Sequence, residues 1–444
     1  MPLKTANKLS KSQIRKLGDR LRKNIQIPDD KDLIQLEEYR TSFKSVIPNI
    51  FKRVYELSRK VRHDATTTYR IKRIESILSK LQRFDGSKLE KIELDRMWDI
   101  VGCRVILNTE EKVYQLFELL KKEFEIRRVK DYYNESDPHG YTSLHVYVSF
   151  KENPSQVVEI QIRTKDSHNW ATLVEIVDLL FDKNIKEGEE EKEFIKFHLR
   201  LSKLEKIEPE IKREVIDFVH EHKIFSTLMD TFSSNYLKLR LKWLKSVKSN
   251  KEHFFIIEAS KDKTPNILAF EEFKEAEQVY FDKFYTKEYE NTVMTFLPQA
   301  NFDNLERAYS NYTLTTHQFT DTYIQLCQEV LYSYLSDRQF LKYHKLYNLF
   351  AKNLIRHIYN LKEEVKTINE YTPATSEEKR KVKFWKKEFS KRIKLRFNSL
   401  EESDKVLRQL EPENFGSKLY LTFLMRITMA KTRRFSRKLE RSKP

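Results

Sequence analysis

From Val158 onward, the run VVEIQIR at Val157–Arg163 alternates between apolar and polar side chains. Neighbouring side chains of a strand point to opposite faces, so Val158, Ile160 and Ile162 form one face and Glu159, Gln161 and Arg163 the other. Such a strand needs an apolar layer on one side and sets a carboxylate, an amide and a guanidinium in a row on the other. A second β-rich run, VGCRVIL at Val101–Leu107, is apolar enough to be buried, and Asp99 stands just ahead of it. If the two strands are neighbours, Asp99 and Glu159 can approach one magnesium ion, which takes few carboxylates together with water and phosphate oxygens. Two acids near strands are also what solvated sheet edges look like, and spacing alone favours that plainer reading.

Helical and strand periods alternate around these runs. Glu110–Phe124 carries Val113, Leu116, Phe117 and Leu120 on one helical face, Ile126–Tyr133 and Ser143–Phe150 read as strands, and Lys165–Phe181 reads as a helix. Turns are marked by Asp137-Pro138-His139-Gly140 and Asn153-Pro154-Ser155. This alternation predicts an α/β domain. Upstream, apolar residues spaced by three and four from Lys31 to Arg62 predict an amphipathic helix with a break at Pro48. Thr66-Thr67-Thr68 is expected to cap a further helix from Tyr69 to Phe84.

On that expected helix Lys72, Ser76 and Lys80 step by four and share a face, with Arg70 close by. A hydroxyl between two ammoniums is suited to a triphosphate. Arg104, in DIVGCR, offers a guanidinium to stack on a base or pair with phosphate. Lys130 precedes Asp131 and Tyr132, and Gly140-Tyr141 open the strand that carries Ser143 and His145. Glycine allows close backbone approach there, and Tyr141 supplies a stacking platform.

Beyond an acidic run at Glu187–Glu193, Phe194–Trp243 is helical in period; His253–Glu258, Asn266–Phe270 and Asn291–Leu297 read as strands around a helix at Glu271–Tyr289. From Phe302 onward the period is helical again. The divisions expected are a helical segment 1–64, the α/β domain 65–185, a helical connector 186–250, a small α+β domain 251–335 and a basic helical region 336–444. With 444 residues and only 6 glycines, several helix-rich domains are the natural outcome. The two cysteines, Cys103 and Cys327, are too few and too distant for a disulfide framework or a metal-ligand motif, which fits a reducing, cytoplasmic setting. The longest apolar stretches are far too short to cross a bilayer, so no membrane partner is expected.

Five segments, YRIKRIESILSK, DIVGCRVI, RRVKDYY, HGYTSLH and EIQIRT, occur in this order over roughly residues 65–182. In this respect the chain resembles the synthetase domain of the RelA/SpoT alarmone enzymes. The resemblance implies an α/β nucleotidyltransferase-like domain, a mixed sheet flanked by helices, followed here by a mainly α-helical C-terminal region with room for a small α+β insert. It implies an ATP-dependent pyrophosphokinase in which Asp99 and Glu159 bind Mg2+ and Glu159 also helps to activate the acceptor hydroxyl. Arg70 and Arg104 would sandwich the ATP adenine, while Lys72, Ser76 and Lys80 would cradle its phosphates. Tyr141 would stack on the acceptor base, with Lys130, His145 and Gln161 on the acceptor side. Arg163 would join that side or tie its strand to the following helix.

Two departures bear on what the family resemblance implies. His63-Asp64 lacks the other metal ligands of the hydrolase domain found in long relatives, so synthesis without hydrolysis is expected. The loop before Gly140, Asn134-Glu135-Ser136-Asp137-Pro138-His139, has acids where the family places a lysine for the phosphates of the acceptor nucleotide. That keeps two acceptors open: GDP/GTP, giving guanosine alarmones, or the 3′ end of tRNA, as in toxic relatives of toxin-antitoxin and phage-defence systems. A non-catalytic RNA-binding protein is a third reading. The net charge is +17, and the segment from Lys379 onward holds 21 basic against 7 acidic residues. There Trp385, Phe389, Ile393 and Phe397 recur every four residues among lysines and arginines, and a second basic cluster spans Lys431–Lys438. Both are candidates for RNA contact, with a core-facing helix or a plain basic tail as the alternatives.

Overall fold

The computed structural model describes residues 9–23, 29–82, 84–85, 88–89, 92–135, 137–151, 153–183, 185, 192–203, 208–249, 251–286, 288–408, 426 and 430. The chain forms two compact units, residues 1–179 with 245–313, and residues 180–244 with 314–444. The basic cluster Lys431–Lys438 lies outside the described residues.

The first unit is built on strands β1 (Thr66–Ile71), β2 (Phe84–Asp85), β3 (Lys88–Leu89), β4 (Val101–Leu107), β5 (Glu125–Asp131), β6 (Leu144–Phe150), β7 (Asn153–Thr164), β8 (Phe254–Ala259), β9 (Asn266–Phe270) and β10 (Asn291–Phe296). β2 and β3 pair only with each other; the others form an eight-stranded sheet in the order β5-β6-β7-β4-β1-β10-β8-β9. β4 and β7 run parallel and every other neighbouring pair is antiparallel, so the sheet is mixed. One face is apolar: Tyr69, Ile71, Cys103, Val105, Val146, Ile160 and Ile162 are buried there in one core with Ile50, Val54 and Leu57 of helix Ile47–Val61 and Leu116 and Leu120 of helix Glu110–Glu123. Thr109 caps the latter helix by accepting from the Lys112 N–H.

Three expectations are corrected here. Thr66–Thr68 does not cap a helix. This β-branched run becomes β1, and the helix is confined to Ile74–Leu81, so Arg70 lies on a strand and Lys72 just after it. The strands between residues 254 and 296 do not form a domain of their own. β10 pairs with β1 and carries β8 and β9 into the same sheet, because alone they would leave a sheet face and edge uncovered. The helix expected over Lys31–Arg62 with its break at Pro48 is interrupted earlier, into Asp30–Thr41 and Ile47–Val61, with Pro48 in the first turn of the second, where a missing N–H costs nothing.

The second unit is helical. The stretch expected as a connector is part of its body: helices Lys192–Leu201, Pro209–Glu221 and nearly all of Ile224–Ser246 join Phe319–Ser336, Phe340–Glu370 and Ser376–Arg408. Trp385 and Phe389 of the last helix are buried with Tyr236, Leu237, Leu361 and Ile368, so the apolar stripe read from sequence faces a core. Lys383, Lys387, Lys391 and Lys394 are exposed on the same helix.

Both cysteines are free and buried. Among the described residues no helix is long and apolar enough to cross a membrane.

Candidate active site

Strand register assembles the site. On the polar face of the sheet, one row of partners runs Lys130–His145–Gln161–Arg104–Thr68 from β5 to β1. The adjacent row runs Arg128–Tyr147–Glu159–Gly102–Arg70–Thr295 from β5 to β10. Side chains two apart on a strand share a face, so these two rows form one polar surface. Thr68, Arg70, Lys72, Asp99, Gly102, Cys103, Arg104, Glu159, Gln161 and Tyr309 line a cleft on it.

Asp99 enters this cleft from the turn before β4. Its Oδ2 accepts from Lys72 Nζ at 2.6 Å and Lys80 Nζ at 2.9 Å. Burial pushes the Asp99 carboxyl up, but Lys72 and Lys80 outweigh it and hold the pKa below the usual range. Burial depresses the Lys72 ammonium in turn, with Asp99 opposing. Asp99 Oδ1 is buried and has no hydrogen-bond partner.

Glu159 is 7% exposed and fully engaged: Tyr147 Oη donates to Oε1 at 2.9 Å, His145 Nδ1 lies 3.0 Å from the same atom, and Gln161 Nε2 donates to Oε2 at 2.8 Å. Burial opposes ionisation, but His145, Lys72 and Tyr147 favour the carboxylate and lower its pKa. Gly102 sits opposite Glu159 in the β4–β7 ladder.

On the side expected to meet the acceptor, Tyr141 Oη lies 2.8 Å from His145 Nε2 and accepts from Arg163 Nη2. The Arg163 guanidinium carbon is 5.0 Å from the Tyr141 ring centroid, so this arginine backs the ring. Burial lowers the His145 pKa, but Tyr141 and Glu159 outweigh it and raise it above the ordinary histidine value. Asp137 Oδ1 accepts from the His139 and Tyr141 N–H groups, and Gly140 has φ of 84°, the left-handed backbone that favours glycine.

On the other side, Arg104 is buried and donates to the Ala308 carbonyl at 3.2 Å, with its guanidinium carbon 5.9 Å from the Tyr309 ring centroid. Burial, then Arg70 and Arg163, brings its pKa down to about 10, so it stays charged at neutral pH. Arg70 is a diagonal neighbour of Arg104 on the same face. Ser76 and Lys80 are half-buried on helix Ile74–Leu81, and of these two Lys80 reaches Asp99.

The description "Region found in RelA / SpoT proteins" matches residues 69–179. GTP pyrophosphokinase YwaC of Bacillus subtilis (strain 168) is 35% identical over 114 residues, which are 24% of this chain and 54% of that protein. GTP pyrophosphokinase YjbM of the same organism is 31% identical over 127 residues, 27% of this chain and 59% of that protein. The chain carries a RelA/SpoT-type synthetase domain. It spans little more than half the length of these two relatives. Among solved structures, small alarmone synthetase 1 from Bacillus subtilis bound to its product pppGpp aligns at 23% identity and a TM-score of 0.32, over 38% of this chain and 90% of that one.

Around the cleft, sequence reading overlooked Tyr147, Gly102, Thr68 and Tyr309. Tyr147 was detectable, since it follows His145 by two on β6 and so shares its face. Tyr309 carried no local signal: its hydroxyl lies 2.6 Å from Thr295 Oγ1 and 3.3 Å from Thr68 Oγ1, contacts made only when β10 pairs with β1.

Among the described residues no cluster of three or more His, Cys, Asp or Glu could hold a metal. Two carboxylates still suit magnesium bound jointly with phosphate oxygens, and the unpartnered Asp99 Oδ1 beside the Glu159 strand fits that donor set.

Proposed function

We propose that this synthetase domain is an ATP-dependent pyrophosphokinase, transferring the β,γ-pyrophosphate of ATP to the 3′-hydroxyl of a guanine nucleotide and releasing AMP. The observation that carries it is the pair Asp99 and Glu159 in one cleft, with Lys72 and Lys80 at Asp99 and the arginine pair Arg70 and Arg104 beside them. Asp99 and Glu159 would hold a magnesium ion, which would supply neutralisation of the charge that develops on transfer. Lys72 and Lys80 then turn from Asp99 to the triphosphate, and Arg70 and Arg104 hold the adenine. Tyr141, backed by Arg163, offers its ring to the acceptor base. Glu159, kept ionised by its partners, helps to activate the acceptor hydroxyl. Such transfer depends on alignment and charge more than on covalent help.

A second acceptor, the 3′ end of tRNA, draws support from two features. Glu135 is exposed on the loop before Tyr141, where free 5′-phosphates would meet it. Lys383, Lys387, Lys391 and Lys394 are exposed along one helix, a pattern suited to an RNA backbone. Against it, Asp137 spends its charge on two backbone N–H groups, which weakens the repulsion inferred from sequence.

The deciding experiment incubates the chain with γ-labelled ATP and either GDP/GTP or bulk tRNA. Label on the nucleotide supports the first acceptor and label on tRNA the second; label on neither overturns the enzymatic reading. If RNA is the acceptor, Lys383→Glu with Lys387→Glu and Lys394→Glu should flatten the salt dependence of tRNA binding by about 0.7–0.9 for each phosphate no longer neutralised.

A further inference from the structure

The helical unit holds a cavity of its own. Helices Ile224–Ser246, Phe340–Glu370 and Ser376–Arg408 wall it, and the segment leading into helix Phe319–Ser336 closes one end.

One wall is cationic. Arg392 and Arg396 lie one turn apart, with Lys391 exposed beside them. The Arg392 guanidinium carbon stands 4.6 Å from the Tyr236 ring centroid. Arg396 pairs with Asp321, yet its Nε is buried without a partner. Glu388 is the other acid of the lining, so the cavity keeps one surplus positive charge.

Its inner surface sets polar groups among apolar ones. Ser233 and His357 are each 7% exposed, and Ser233 Oγ and His357 Nδ1 have no hydrogen-bond partner. Burial, with Arg396 and Arg392, pushes the His357 pKa down to about 3, so the ring is neutral and keeps an N–H to donate. Buried polar atoms are almost always paired, and three unpaired ones around one cavity mark a place built for a polar occupant. Phe232, Tyr236 and Phe389 give the same cavity an aromatic side.

We propose that this cavity binds a phosphorylated small molecule with a flat apolar body, of the mononucleotide class. Arg392, Arg396 and Lys391 take the phosphate, Ser233 and His357 donate to it or to a sugar hydroxyl, and the base lies along the aromatic side. A guanidinium fork on phosphate with aromatic faces beside it is the combination that selects nucleotides over free inorganic anions. The site stands on its own and does not depend on the pyrophosphokinase reading.

Calorimetric titration of the full chain with AMP, GMP and inorganic phosphate tests it. Saturable binding of AMP or GMP is expected that persists in Arg104→Ala, which disables only the proposed adenine pocket of the synthetase cleft, and that is weakened at least about tenfold by Arg392→Gln. Lys391→Glu, an exposed change that leaves packing intact, should weaken it several-fold, which guards against misfolding of the arginine variant. Phosphate alone should bind more weakly and compete. No saturable binding at millimolar nucleotide, binding untouched by both helix variants, or binding lost in Arg104→Ala instead would each overturn the proposal. Phosphate binding as tightly as AMP would remove the flat body from it.

Discussion

A Cβ placed on Gly102 would lie 3.1 Å from the Glu159 carbonyl oxygen and 3.8 Å from Glu159 Oε2. The parallel β4–β7 ladder therefore brings the backbone of one strand against the carboxylate-bearing residue of the other. Gly102→Ala is expected to cost about 1–2 kcal/mol of stability through this close approach and to lower transfer activity more than tenfold. Steady-state kinetics beside a denaturant melt checks both; an alanine variant with wild-type activity would show that the space above Gly102 is not used.

Asp99 and Glu159 lose their charge in Asp99→Asn and Glu159→Gln. Each change is nearly isosteric, so the fold is expected to survive while transfer falls by about 100-fold or more. Circular dichroism should match the parent. Wild-type turnover in either variant would refute the metal assignment.

Tyr309 lines the cleft beside Arg104, and the adenine proposed to stack on that arginine would have to share its space. Tyr309→Ala is expected to tighten ATP binding by about two- to thirtyfold, the worth of one cation–π interaction that no longer competes. Tyr309→Phe keeps the ring and loses only the bonds near Thr68 and Thr295, so it should leave ATP affinity close to the parent. Equal ATP affinity in the parent and the alanine variant would sink this account.

Glu277 is 8% exposed, and its Oε1 has no partner. Burial, then Glu37, raises its pKa from 4.5 to about 7, with Lys44 and Arg40 opposing. Between these values the unfolded chain releases a proton that the folded chain keeps, so stability falls as pH rises through this window. Glu277→Gln should therefore raise the unfolding free energy at pH 8 by about 1–3 kcal/mol and give no gain near pH 4. Urea melts at the two pH values decide it; a gain equal at both would mean that the effect is packing and not titration.

Local pattern was a good guide wherever one strand or helix stated its own period. Val101–Leu107, the alternation around Glu159 and helix Lys165–Phe181 are strands and helix as the spacing predicts. It misled at Thr66–Lys80, where the four-residue steps of Lys72, Ser76 and Lys80 imitated one helical face. Lys72 reaches Asp99 from the end of a strand and Lys80 from a helix, and only their convergence on one oxygen makes them neighbours.

By itself, then, the sequence determined the faces: which side chains of each strand are apolar and which present Glu159, Gln161, Arg104 or His145. Period is a local property, and a few residues suffice to express it. Tertiary structure alone decided the company those faces keep. Strand order set Gly102 opposite Glu159 and Arg70 opposite Thr295, and it drew β8, β9 and β10 into a sheet begun at Thr66. Pairing between strands hundreds of residues apart is chosen by which edges and apolar faces remain to be covered once the whole chain has collapsed, and no short stretch of sequence carries that information.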